Sequence, residues 1–140
     1  MVKFVVLVKL REGVDPDKFW KFWEEVYAPP HMSPGLIKYC INRVTKVMEG
    51  EATHWGMAEQ WFESEEALHA MIAEFMKIYD AINTGGLSEL RSELFPPKFR
   101  PLIEEMKRHP DGGFMNWTTD RMVVLMEEKI IVEDGALVKR

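Results

Sequence analysis

Two hydrophobic periods alternate along the chain. Residues 4–10 are apolar and largely β-branched, with Lys9 as the one charge, and predict a strand. Both faces of its middle are apolar, as expected of a strand covered on both sides. Arg11-Glu12-Gly13-Val14 turns the chain. Asp15 caps a helix whose first position is Pro16, where a missing N–H costs nothing. Phe19, Trp20, Phe22, Trp23 and Val26 follow at helical spacing as a wide apolar stripe, which Ala28-Pro29-Pro30 ends. After the turn Ser33-Pro34-Gly35, residues 36–47 alternate. Ile37, Tyr39, Ile41 and Arg43 take one side; Lys38, Cys40, Asn42 and Val44 take the other. Glu49-Gly50-Glu51 is a polar hairpin. Residues 55–62 predict a strand with Trp55, Met57, Glu59 and Trp61 on one face. Ser64 caps a second helix, striped by Leu68, Met71, Ile72, Phe75, Met76 and Tyr79; Glu65 and Glu66 suit its positive end. Residues 122–132, rich in Val and Ile, predict the last strand.

The order β-α-β-β-α-β is the ferredoxin-like, α+β arrangement, with two helices on one face of a four-stranded antiparallel sheet. The doubly apolar first strand implies a cover on the other face too. No third layer is evident in the sequence, so the expected cover is a second subunit, giving a homodimer. Residues 84–119 are too long for a plain connection. They predict a short helix over 87–94, a break at Pro96-Pro97 and a helix over 99–108. The turn Pro110-Asp111-Gly112-Gly113 and the apolar loop Phe114-Met115-Asn116-Trp117 follow. A lid or pocket wall, a dimer arm and passive decoration are the alternatives for this insertion.

Composition narrows the class. With 140 residues, 46% hydrophobic and 29% charged, the chain reads as one globular domain, 1–140. A net charge of −5 argues against nucleic acid and against an anionic membrane surface. Cys40 is the single cysteine, so no intrachain disulfide forms; with no secretory pattern at the start, the expected location is the cytoplasm. No apolar run approaches the roughly 20 residues that cross a bilayer. Five Trp, eight Phe and ten Met fit either a soft core or a pocket for a small hydrophobic organic ligand.

Several residues could carry chemistry. His31, in the rigid loop Pro29-Pro30-His31-Met32-Ser33-Pro34, is a general base if it faces a pocket, and otherwise an exposed loop histidine. Tyr27 could donate to a ligand carbonyl or enolate, or simply end a helix. Glu59, mid-strand among Met57 and Trp61, suits acid–base work, unless Arg43 on the neighbouring strand pairs with it. Trp23, Trp61 and Trp117 are candidate ligand-binding aromatics. Tyr39 and Asn42 are also candidates, but they alternate to opposite faces, so one of the two at most shares a pocket. No metal site is expected, because the four histidines are scattered and Cys40 stands alone. Phosphate and dinucleotide loops are absent, and no cofactor is expected; heme, which needs one histidine, stays open.

These residues also carry a family resemblance. Val2-Lys3-Phe4-Val5-Val6-Leu7-Val8-Lys9, Phe19-Trp20-Lys21-Phe22-Trp23-Glu24-Glu25-Val26, Pro34-Gly35-Leu36-Ile37-Lys38-Tyr39, Asn42-Arg43-Val44 and Ala58-Glu59-Gln60-Trp61-Phe62-Glu63-Ser64-Glu65-Glu66-Ala67-Leu68 resemble the EthD family. The likeness covers about the first 80 residues and, more weakly, the last strand. It implies a dimeric α/β barrel, in a superfamily of cofactor-independent oxygenases, isomerases, dehydratases and heme-handling proteins. A cofactor-independent oxidoreductase, isomerase or lyase of catabolism or secondary metabolism is the implied activity, and a non-catalytic accessory protein of a degradation pathway is the alternative. The chain departs from the family where Tyr27 replaces the histidine of a His-x-Pro element, with His31 four residues later, and in the insertion 84–119.

Overall fold

The computed structural model describes residues 1–139. Strand β1 (Val2–Leu10) leads into helix α1 (Pro16–Phe22), where the Asp15 carboxylate accepts from the N–H groups of Asp17 and Lys18 at 3.0 and 3.3 Å. The helix does not stop there. It widens into a π-turn, Trp23–Tyr27, closed by the Ala28 N–H donating to the Trp23 carbonyl at 2.8 Å. Pro29 and Pro30 lack the N–H groups to continue the ladder, and the chain leaves through a tight 3₁₀ turn, Pro29–His31. Strands β2 (Leu36–Arg43) and β3 (Gly56–Phe62) follow, then helix α2 (Glu65–Gly85). Ser64 Oγ accepts from the Ala67 N–H at 3.1 Å and caps α2.

The strand order is β2-β3-β1-β4, with every neighbouring pair antiparallel. This is the ferredoxin-like α+β topology. The barrel expected from the family resemblance is corrected: the sheet is open. Closure would need the end strands to pair, and β2 and β4 are held apart by β3 and β1.

Register decides what each face carries. Phe4 stands between Gln60 and Leu125, and Val6 between Ala58 and Val123, on the face toward the helices. Val5 stands between Glu59 and Val124, and Leu7 between Met57 and Met122, on the opposite face. The core lies on the helix side, around Phe19, Trp23, Phe62, Leu68, Ile78 and Ile103. Each such side chain contributes about 1.5–3 kcal/mol by leaving water.

Between α2 and the last strand, three 3₁₀ turns (Leu87–Glu89, Ser92–Leu94 and Pro97–Phe99) lead to α3 (Arg100–Arg108) and the one-turn helix α4 (Phe114–Trp117). The helix expected over 87–94 is therefore two separate turns. Strand β4 runs Thr118–Met126, starting earlier and ending earlier than the 122–132 run suggested. The apolar residues beyond it form a small hairpin, β5 (Val132–Glu133) and β6 (Ala136–Leu137). β2 likewise stops at Arg43, short of the expected residue 47.

Candidate functional site

Between the helix-facing side of the sheet and the helices lies a cavity of about 820 Å³. That is within the usual size range for small-molecule sites. The sheet supplies Phe4, Val6, Ala58 and Val123 as its floor. The segment after α2 supplies the facing wall, with Leu87, Leu102, Met106, Phe114 and Met115. Met76, Met115 and Val123 line the cavity and are also exposed, so its mouth lies between α2, α4 and β4.

The π-turn builds one end. Trp23, Tyr27 and His31 are spaced by four, and all three line the cavity. The π-turn takes more residues per turn than an α-helix, which brings Trp23 and Tyr27 toward one line, and the 3₁₀ turn Pro29–His31 then carries His31 to the same cavity. The Tyr27 ring stacks on Phe114 at 4.2 Å with the planes 4° apart, so the wall and the helix end are joined face to face. His31 packs against Phe75 at 4.3 Å and Tyr39 at 5.1 Å.

His31 is 5% exposed, which replaces the exposed-loop alternative. Its Nδ1 lies 2.9 Å from the Tyr27 carbonyl and 3.1 Å from the Ala28 carbonyl. Two acceptors there require Nδ1 to carry the proton, so Nε2 holds the lone pair. No protein group bonds Nε2 among the described residues. Burial pushes the imidazole pKa down to about 4, against a smaller upward pull from the two carbonyls. The free base is therefore the form present near neutral pH.

The remaining polar groups are few. Tyr39 accepts from Trp23 Nε1 at 3.3 Å, and burial pushes its hydroxyl pKa up. Tyr27 and Tyr79 are raised as well, chiefly by burial; their hydroxyls interact with each other, and both feel the positive charge of Arg121. Gln60 is 2% exposed, and its Oε1 has no hydrogen-bond partner. A buried acceptor left unpaired costs on the order of 1–3 kcal/mol.

Of the sequence candidates, the cavity brings together His31, Tyr27, Trp23 and Tyr39. Trp117 does not line the cavity and packs against Phe22 at 4.9 Å, whereas Phe114, on the same short helix, does line it. Glu59, Asn42 and Trp61 are placed on the opposite face of the sheet. Alternation is the reason: Ala58 and Gln60 face the helices, so Met57, Glu59 and Trp61 face away. There Glu59 pairs with Lys3 at 2.8 Å and accepts from Asn42 Nδ2 at 3.0 Å. Trp61 donates to Glu128 at 2.8 Å. The partner considered for Glu59, Arg43, instead reaches Asp17 at 2.9 Å and lies over Trp20. Gln60, Tyr79 and Arg121 were not singled out in the sequence. A glutamine between Ala58 and Phe62 was the available signal for the first.

No helix among the described residues is long and apolar enough to cross a membrane. No group of three or more His, Cys, Asp or Glu side chains is placed to hold a metal ion among the described residues.

No family model and no curated protein matches the chain. Solved structures do. A protein of Arabidopsis thaliana, known from crystal and solution structures, is similar over 95% of this chain and 100% of its own in the crystal, with 16% identity and a TM-score of 0.56. A dimeric ferredoxin-like protein of Thermobifida fusca matches over 89% of this chain and 88% of its own, with 14% identity and a TM-score of 0.51. An EthD family protein of Bacillus halodurans aligns at 15% identity over 92% of this chain and 100% of its own, with a TM-score of 0.48. The first two likenesses show the ferredoxin-like fold, and the family expectation is reduced to that fold.

Proposed function

We propose that this chain binds a small, mostly apolar organic compound in the cavity and moves a proton on it without a cofactor, in the manner of an EthD-like protein. The observation that supports this most is the setting of His31. Its tautomer is held by two backbone carbonyls, its unpartnered nitrogen belongs to a side chain lining an aromatic cavity, and burial keeps it unprotonated. A base in this state accepts a proton from an acidified C–H or O–H at Nε2. Tyr27, a hydroxyl held protonated by burial, then donates to the oxygen on which charge develops.

Accessory binding without turnover is the second reading. It is favoured by the placement of Glu59 on the other face of the sheet, which leaves His31 without a carboxylate partner in the cavity. One experiment separates the two. A panel of aromatic ketones, phenols and lactones is titrated while tryptophan fluorescence is followed, and binders are incubated in D₂O. Saturable binding, with deuterium entering the ligand and stopping in His31→Gln, is the expected result. Binding without exchange leaves the accessory reading, and no binding by any compound overturns both.

We further propose a homodimer. Met122, Leu125 and Met126 leave an exposed apolar run on the edge strand β4, and Ile131, Val132 and Leu137 are exposed in the segment that follows it. A second copy is the natural cover for such a run.

A further inference from the structure

Arg121 stands apart from the other cations. Among the described residues, Lys3, Arg43, Lys98 and Arg121 are half-buried, and the remaining Lys and Arg side chains are exposed. Lys3 meets Glu59 at 2.8 Å, Arg43 meets Asp17 at 2.9 Å, and Lys98 meets Glu74 at 2.9 Å. Arg121 meets no carboxylate among the described residues. It is also the one cation of the four that lines the cavity.

Its position is built into the strand. The β1–β4 register shifts between Leu7 and Lys9, which pair with Met122 and Thr119. One extra residue is thus accommodated at Asp120 and Arg121, and Asp120 takes a φ of 47° to do so. Arg121 lies two residues before Val123 and faces the cavity side with it, while the bulge displaces the chain that leads into it. Nη1 is tied down by the Thr118 carbonyl at 3.0 Å and Thr118 Oγ1 at 2.9 Å, with a longer contact to the Met115 carbonyl at 3.4 Å. Nε and Nη2 have no protein acceptor among the described residues. Guanidinium does not lose its proton, so neutralisation is no escape from partial desolvation. A held, unpaired fork of N–H donors at the mouth of an apolar cavity matches a carboxylate, which takes such a fork through both oxygens.

We infer that the ligand is an organic acid whose apolar body fills the aromatic cavity and whose carboxylate pairs with Arg121. This rests on the small-molecule reading above and names the class of compound. Tyr27 and Tyr79, whose hydroxyls both feel the Arg121 charge, lie on the side where the carboxylate sits. The unpaired Gln60 Oε1 is at the far end. Gln60 shares a row with Leu125, four residues along β4 from Arg121, or roughly 13 Å of strand.

Calorimetric titration of the full chain with matched pairs tests this. Decanoate and 4-phenylbutyrate are compared with decanamide and 4-phenylbutanamide. The acids are expected to bind at least about tenfold more tightly, a difference of roughly 1.4 kcal/mol. Arg121→Met is expected to erase the preference by weakening the acids more than the amides, and Arg121→Lys to keep part of it. Arg121 also anchors the start of β4, so the acid-to-amide ratio of the unsubstituted protein stands as a test if Arg121→Met does not fold. Equal affinity for acids and amides overturns the inference while preserving the small-molecule reading. A preference that survives Arg121→Met overturns the role of Arg121. Failure of all four probes to bind overturns the inference and weighs against the cavity as a binding site.

Discussion

His31 makes a residue-scale prediction that needs no ligand. Its folded pKa, about 4, lies below the unfolded value of 6.5. Between those values the unfolded chain takes up a proton that the folded chain refuses, so stability is full above about pH 6.5 and falls as pH drops toward 4. The loss is on the order of 3 kcal/mol, levelling below pH 4. Urea midpoints measured from pH 8 to pH 4 are expected to show this slope, and His31→Gln to flatten it. A slope unchanged in the variant places its origin elsewhere. The sequence singled out His31 as a candidate base in a rigid loop, because a proline-flanked histidine is a local signal. It could not show that the loop folds inward, since that depends on Phe75 and Tyr39 from distant elements. The side on which Glu59 falls was hidden for a related reason. Alternation tells which residues share a face, and only the packing of helices tells which face they cover.

At the scale of elements, capping and turn chemistry were the most legible features. Asp15-Pro16 and Ser64 were read from neighbouring residues alone, and both caps form as read. Replacing Asp15→Ala is expected to cost about 1 kcal/mol in chemical denaturation. The π-turn carried no such signal, since one wider hydrogen bond leaves the apolar spacing of α1 almost unchanged. The start of β4 was hidden by its own polarity: Thr118-Thr119-Asp120-Arg121 does not look like a strand, yet it pairs with β1 through a bulge. The turn before β2 shows how tightly strand and helix meet. Gly35 has a φ of +87°, and a Cβ there would lie 2.5 Å from the Ala67 Cβ on α2. Gly35→Ala is expected to cost about 2–4 kcal/mol from backbone strain and overpacking together. A thermal midpoint unchanged by this substitution would contradict the close approach.

For the whole molecule, the order of strands and helices was enough to give the ferredoxin-like topology, because a split β-α-β unit leaves few ways to connect four antiparallel strands. The open sheet was not legible, since barrel closure was implied by family likeness and not by any residue. Light scattering at micromolar concentration is expected to give twice the 16.4 kDa chain mass for the proposed homodimer. A mass near 16.4 kDa would remove the second copy as the cover for β4 and the C-terminal hairpin. The cavity itself divides into two parts of different origin. Phe4, Val6 and Ala58 belong to strands whose pairing holds the molecule together, whereas Leu87, Leu102, Met106 and Met115 belong to a segment that the sheet does not need in order to pair. The apolar shape of that facing wall can therefore drift on its own stretch of chain, while the strands beneath it, with Gln60 and Arg121, keep their pairing.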